Sequence, residues 1–261
     1  MSGRQYTDML GREVIINHLP QRIVSLVPSQ TELLYDLGLD KEVIGITRFC
    51  VHPHEWFRNK KRIGGTKTVH IDRVASLNPD LIIANKEENI KEQIDQLAMH
   101  YPVWVSNIQT LEQALQMISS VGEIVGKKER AMSLVKEIHN GFDLLAKTIR
   151  PRRAAYFIWR NPWMGAGGDT FINNMIEKIG WQNALADKSR YPVIDLNDLV
   201  EKKIDLILLS SEPYPFKAIH ISEIKAVLPD VEIMLVDGEM FSWYGSRLSK
   251  TVAYFKELVQ R

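Results

Sequence analysis

The side chains best suited to chemistry gather in a few short segments. Arg48-Phe49-Cys50-Val51-His52-Pro53-His54-Glu55-Trp56 places a thiol and two imidazoles within five residues, a composition that soft metals favour. The spacing matches no recognised zinc pattern, and no second ligand cluster accompanies it. Three roles stay open: a metal site built from Cys50, His52 and His54; a cleft-lining loop, Trp56 included, that offers one imidazole or thiolate to a ligand's metal; or a loop with Cys50 buried and His54 solvated. Asn85-Lys86-Glu87-Glu88-Asn89 is a polar cluster. It suits either a cleft wall or a solvated helix start, where Glu87 and Glu88 would favour the positive end of the helix dipole.

The second half is richer in aromatics. Trp159-Arg160-Asn161-Pro162-Trp163 leads into the glycine-rich Gly165-Ala166-Gly167-Gly168-Asp169. Two indoles and a guanidinium can hold a flat, partly charged macrocycle by stacking and cation–π attraction. Trp159 reads equally as core, whereas Trp163 follows a proline in a loop and is expected to be exposed. Ser189-Arg190-Tyr191-Pro192 is another aromatic-plus-arginine turn. Asp237 to Arg247 includes Glu239, Phe241, Trp243, Tyr244 and Arg247. So aromatic a connection suits a binding wall, with one or two rings packing inward.

Catalysis is not expected. Ser29 and Ser211 lack a nucleophile-elbow context. Cys50 and His52 stand two residues apart, where nucleophile and base rarely meet. Paired carboxylates occur only at helix starts.

The elements that must position these residues alternate in type. Strands are expected at Arg22–Val27, Val43–Ile46, Leu81–Ala84 and Val103–Val105, and again at Ala154–Trp159, Leu206–Leu209 and Ile233–Val236. Ser29 and Glu32 form a capping-box pattern for a helix stopped by Gly38. Helices are also expected at Thr170–Ile179 and Ser246–Gln260. Strands separated by helices imply a mainly parallel sheet, in which ligands meet the loops after the carboxyl ends of the strands. From Lys127 to Arg150, apolar residues recur every three or four positions. About 22 residues of helix would span about 33 Å and end at Pro151. Asp80-Leu81-Ile82-Ile83 and Asp205-Leu206-Ile207-Leu208 follow similar segments, Ile71-Asp72-Arg73-Val74 and Leu196-Asn197-Asp198-Leu199, at the same distance. The simplest account is two similar lobes, 1–126 and 151–261, linked by a helix over 127–150, with a small-ligand cleft.

Charge narrows the partners. Lys plus Arg is 33 and Asp plus Glu 32, so nothing points to nucleic acid, and a monomer is expected. One cysteine excludes an internal disulfide. Met1 to Tyr6 lacks the apolar run of a signal peptide. Either the protein stays inside the cell or a leader has been removed.

Several motifs in order carry a resemblance. They are Asp8-Met9-Leu10-Gly11-Arg12-Glu13-Val14, Arg22 to Ser29 with Thr31-Glu32, Ile71 to Val74, Asn78 to Ala84, and Phe241-Ser242-Trp243-Tyr244-Gly245-Ser246-Arg247. Across nearly its whole length the chain resembles the ABC-importer substrate-binding proteins with a helical backbone, the group that includes cobalamin, ferric-siderophore and haem binders. The resemblance implies two parallel-sheet α/β lobes on one long rigid helix, a ligand cleft between them, and an extracytoplasmic location. It implies no intrinsic cofactor, a cobalt or iron chelate as ligand, and permease subunits of an ABC transporter as partners. Ligand-facing positions by that match are His52, Pro53, Asn85, Lys86, Trp163, Tyr191, Glu239 and Trp243. Transporter docking falls on Asp72 and on Asn197 with neighbouring Asp198. Trp243 stands where the cobalamin binder uses an arginine. The alternatives are a direct metal-ion receptor built on Cys50 and His52, and a cytoplasmic enzyme or chaperone on the same fold.

Overall fold

In a computed structural model, residues 3–145 and 151–260 are described. They group into two compact units. The first takes residues to Ile108, Glu112–Glu137 and Tyr244–Arg247. The second takes Gln109–Leu111, Ile138–Trp243 and Leu248 onward.

The first unit opens with an antiparallel hairpin, β1 (Arg4–Thr7) and β2 (Glu13–Ile16). Asp8 closes its turn: one carboxylate oxygen accepts the Leu10 and Arg12 amides, each at 2.9 Å. Gly11 turns the chain at φ +79°, a conformation open to glycine at little cost. There follow β3 (Ile23–Ser25), α1 (Pro28–Asp36), β4 (Val43–Ile46), α2 (His54–Asn59), β5 (Lys61–Arg62), α3 (Ile71–Ser76), β6 (Leu81–Asn85), α4 (Lys91–Ala98), β7 (Val103–Ser106) and α5 (Leu111–Ile124). The strands β5-β4-β3-β6-β7 form one all-parallel sheet in that order. β3, β6 and β7 are buried at every position. That explains why their sequences are unbroken apolar runs without alternation.

The expected capping box is corrected. α1 begins at Pro28 with Val27 as its N-cap, because proline is pre-set for the first helical turn. Ser29 therefore lies inside the helix. The carboxylate of Glu32 serves Arg247 instead, at 2.8 and 3.0 Å.

α6 runs from Lys128 to Leu145, 18 residues without a break. Its residues to Glu137 group with the first unit, and those from Ile138 with the second. Residues 146–150, over which the sequence extends this helix, lie outside the described residues.

The second unit contains β8 (Arg153–Trp159), β9 (Met164–Gly165), α7 (Phe171–Lys178), β10 (Gln182–Asn183), α8 (Asp198–Glu201), β11 (Leu206–Ser210), α9 (Ala218–Lys225), β12 (Glu232–Val236), α10 (Glu239–Ser242) and α11 (Leu248–Leu258). Strands β10-β8-β11-β12 pair in parallel, and β9 adds an antiparallel bridge to β8. Thr170 caps α7, its hydroxyl accepting the Asn173 amide at 3.1 Å.

The internal echo has a physical counterpart. Asp80 accepts the Arg22 amide at 2.9 Å and returns its own amide to the Arg22 carbonyl at 3.0 Å. Asp205 accepts the Arg153 amide at 2.7 Å and returns its amide to the Arg153 carbonyl at 2.8 Å. In each unit an aspartate just ahead of a core strand ties down the entrance to the neighbouring strand.

Candidate functional site

In parallel sheets the ligand-binding crevice lies where successive strands depart to opposite sides. In the first unit that point falls between β3 and β6, and in the second between β8 and β11, by the strand orders above.

At the second unit's switch point, the loops after β8 and β11 bring an aromatic cluster together. Trp163 stacks on Phe216 with centroids 5.8 Å apart and planes 2° from parallel. It also meets Phe157 edge-on at 5.6 Å. Trp159, 41% exposed, meets Tyr214 at 5.6 Å, and Tyr214 meets Phe216 at 4.8 Å. The Arg160 guanidinium lies 5.2 Å from the Trp163 centroid and pairs with Glu223 at 2.5 Å. Phe157 and Phe216 belong to the second unit's core, with Trp163 and Tyr214 packed half-buried against it, so the open part of the cluster is Trp159 with parts of Trp163, Tyr214 and the Arg160 cation, a patch suited to a flat, apolar ligand.

Beside it, the loop after β12 adds Asp237 and Glu239. Half-buried Glu212, in the loop after β11, accepts hydrogen bonds from the Ser242 hydroxyl and the Trp243 indole, each at 2.9 Å. Burial raises its carboxyl pKa above the ordinary value. The negative charges of Glu239 and Asp237 push the same way, and the two donors oppose them. Among the described residues no group of three or more His, Cys, Asp or Glu is placed to hold a metal ion.

At the first unit's switch point, polar side chains are spent on structure. Asn85 and Asn89 are buried at 2% and 5% exposure. Asn85 accepts the Glu87 and Glu88 amides at 2.8 and 3.0 Å, and Asn89 donates to the Thr66 carbonyl at 3.0 Å. Exposed side chains at this rim come from Lys86 and from the loop after β4, where Arg48 lies 5.0 Å over the Phe49 ring. The turn Gly64-Gly65 lies under that pair. A Cβ on Gly65 would come within 3.1 Å of Phe49 and 3.3 Å of Arg48.

Several sequence-based assignments are corrected. Trp56 is 1% exposed and donates to Asp40 at 2.7 Å, edge-on to Tyr35 at 5.3 Å. Phe241 is fully buried between Tyr156 and Phe255, with centroids at 5.0 and 4.8 Å. Arg247 is buried against Glu32. Asn85 holds its own loop. Trp243 keeps only 7% exposure and is tied to Glu212. Apart from Asn85, each is a large or polar side chain whose contacts come from other segments of the chain. Of the remaining candidates, His52, Pro53, Trp163, Tyr191 and Glu239 are half-buried and Lys86 is exposed. Asp72 lies exposed in the first turn of α3. Asn197 and Asp198 are exposed at the start of α8, with Asn197 donating to Asp195 at 2.8 Å.

The metal site built from Cys50, His52 and His54 is corrected as well. Cys50 is fully buried, its sulfur 3.0 Å from the Thr31 hydroxyl and 3.2 Å from that of Thr47. His54 instead starts α2, stacked near Phe57 at 6.4 Å. Burial pushes the Cys50 thiol up to about 11. Against an ordinary thiol value of 9.0, this lowers the thiolate fraction at pH 8 by about 100-fold. Native protein is therefore expected to react with a disulfide reagent at pH 8 at least about 100-fold more slowly than unfolded protein. Equal rates would refute the buried thiol. The protonated thiol favours the fold below pH 9, and that contribution is lost as pH rises through about 11.

The sequence reading missed Glu212, Tyr214, Phe216 and His220. The signal was present in Pro213-Tyr214-Pro215-Phe216, an aromatic loop at the carboxyl end of the expected strand Leu206–Leu209.

Known proteins give the comparison. The sequence profile of a family described as "Periplasmic binding protein" matches residues 23–230. An uncharacterized ABC transporter substrate-binding lipoprotein of Bacillus subtilis, YvrC, is 30% identical over 97% of this chain and 84% of its own length. The vitamin B12-binding protein of Yersinia pestis is 23% identical over 73% of this chain and 69% of its own. Among solved structures, a possible iron-binding (periplasmic solute-binding) protein from Staphylococcus epidermidis superposes with a TM-score of 0.79 at 21% identity, covering 94% of this chain and 100% of its own.

Proposed function

The chain belongs to the periplasmic binding protein family, and from that premise we propose that it is the substrate-binding component of an ABC-type importer. It captures a cobalt- or iron-containing chelate, a corrinoid, haem or ferric siderophore, outside the cytoplasmic membrane and delivers it to permease subunits. Among the described residues no helix is long and apolar enough to cross a membrane. The observation that carries the reading is the aromatic cluster of Trp159, Trp163, Tyr214 and Phe216, at the carboxyl-end switch point where parallel sheets bind ligands. Docking on the permease is assigned to Asp72 and Asp198, both exposed in first helical turns, where arginine pockets could take them in charge-assisted contacts.

The test is a tryptophan-fluorescence titration with cyanocobalamin, cobinamide, haemin and ferrioxamine. Saturable quenching by one of these at micromolar concentration or below is expected. Trp159→Ala and Trp163→Ala should each weaken that binding about tenfold, since an aromatic contact is worth roughly 0.5–1.5 kcal/mol beyond its buried area. Trp159→Ala should lower the melting temperature less than Trp163→Ala, because Trp159 is 41% exposed whereas Trp163 packs against the core. Silence from all four chelates would overturn the reading.

A further inference from the structure

We propose that His220 is a positioning residue that commits the Tyr214 hydroxyl to donate its proton to an oxygen acceptor of the bound ligand. The proposal rests on the reading of the second unit's aromatic cluster as the ligand wall.

The chain of hydrogen bonds begins at the backbone. The Lys217 amide lies 2.9 Å from Nδ1 of His220. A backbone N–H can only donate, so Nδ1 must accept, and a neutral imidazole then carries its proton on Nε2. Nε2 lies 3.1 Å from the Tyr214 oxygen. The imidazole therefore donates, and the phenol oxygen accepts. The phenol's own proton is left over, and no other hydrogen bond of the Tyr214 hydroxyl occurs among the described residues.

The environment holds this polarity in place. His220 is 8% exposed and lies in the first turn of α9, its ring edge-on to Tyr214 and Phe216, both at 5.4 Å. Phe216 in turn stacks on Trp163. Half-buried Tyr214 meets Trp159, the most exposed ring of the cluster. A ligand that presents an amide carbonyl or a carboxylate oxygen there gains a hydrogen bond. One that presents only an N–H edge meets a second donor and is disfavoured. The aromatic wall supplies area, and the His220–Tyr214 relay selects for an oxygen acceptor.

Two substitutions separate this role from simple capping of α9. In His220→Asn the side-chain oxygen falls where Nδ1 lies, so the Lys217 amide keeps its acceptor and Tyr214 loses its donor. In His220→Gln the amide nitrogen falls where Nε2 lies, so Tyr214 keeps its donor and the cap is lost. Affinities are read by fluorescence titration with whichever of cyanocobalamin, haemin and ferrioxamine binds the unaltered protein. Tyr214→Phe and His220→Asn should each weaken binding about fivefold to tenfold, the size of one net hydrogen bond. The double variant should lose no more than either alone. His220→Gln should bind within about twofold of the unaltered protein while its melting temperature falls. Side-chain ¹⁵N NMR of the ligand-free protein should show the Nε2–H tautomer.

If affinity follows stability instead, falling in His220→Gln and holding in His220→Asn, His220 only caps the helix and the proposal is overturned. An Nδ1–H tautomer overturns it without reference to any ligand. Failure of all three chelates to bind the unaltered protein overturns the ligand-wall reading and the selection built on it, whatever the tautomer.

Discussion

Arg247→Ala is expected to destabilise the first unit by about 3–5 kcal/mol, the cost of leaving one buried charge without its partner. The guanidinium meets Glu32 through two bonds of 2.8 and 3.0 Å, and the two side chains keep only 7% and 5% exposure. Removing the arginine takes both of these bonds from a carboxylate buried in α1. Denaturant titration followed by Trp56 and Trp104 fluorescence would read the loss. A companion variant, Glu32→Leu with Arg247→Met, should recover much of it, because an apolar pair of similar volume carries no desolvation cost. A loss under about 1 kcal/mol for Arg247→Ala would show that the pair is solvated and that the closing segment does not hold the first unit together.

Phe241→Ala is the second. Its ring has no exposure and fills the space between Tyr156 and Phe255, and Phe255 itself meets Phe142 edge-on at 6.3 Å. Truncating a buried phenylalanine costs about 3–5 kcal/mol, the lost transfer energy plus the cavity. The second unit should unfold at correspondingly lower denaturant, while the folded fraction binds ligand as before. If Phe241 lined the ligand wall, the pattern would reverse: affinity would fall and stability would hold. Comparing Phe241→Ala with Trp159→Ala in one titration separates the core face of this region from its ligand face.

These two residues show why the closing motif was hard to read. Phe241, Trp243, Tyr244 and Arg247 look alike in sequence, four large side chains in a connection. The fold sends them to different places. Phe241 enters the second unit's core, and Trp243 donates to Glu212. Tyr244 donates to Glu88 at 2.7 Å, and Arg247 reaches Glu32. Gly245, at φ +142°, lets the segment pass Ser29, where a Cβ would lie 2.9 Å from the backbone carbonyl oxygen. No local pattern encodes these partners, because each is set by a segment outside the local turn of chain.

By itself the sequence determined the alternation of strands and helices and the parallel character of the two larger sheets. Apolar runs bounded by turn residues report burial on both faces, and burial on both faces is what parallel strands require. It also determined the repeat, through Asp80 and Asp205. The amino-terminal hairpin escaped, since its four-residue strands have too little apolar alternation to announce themselves. Tertiary structure alone decided which candidates are surface and which are core. Cys50 became a buried hydrogen-bonded thiol, Trp56 and Phe241 became packing, and Tyr214 with His220 joined the rings around Phe216. The physical reason is that exposure and hydrogen-bond partnership belong to a side chain's neighbours in space, which spacing along the chain does not record.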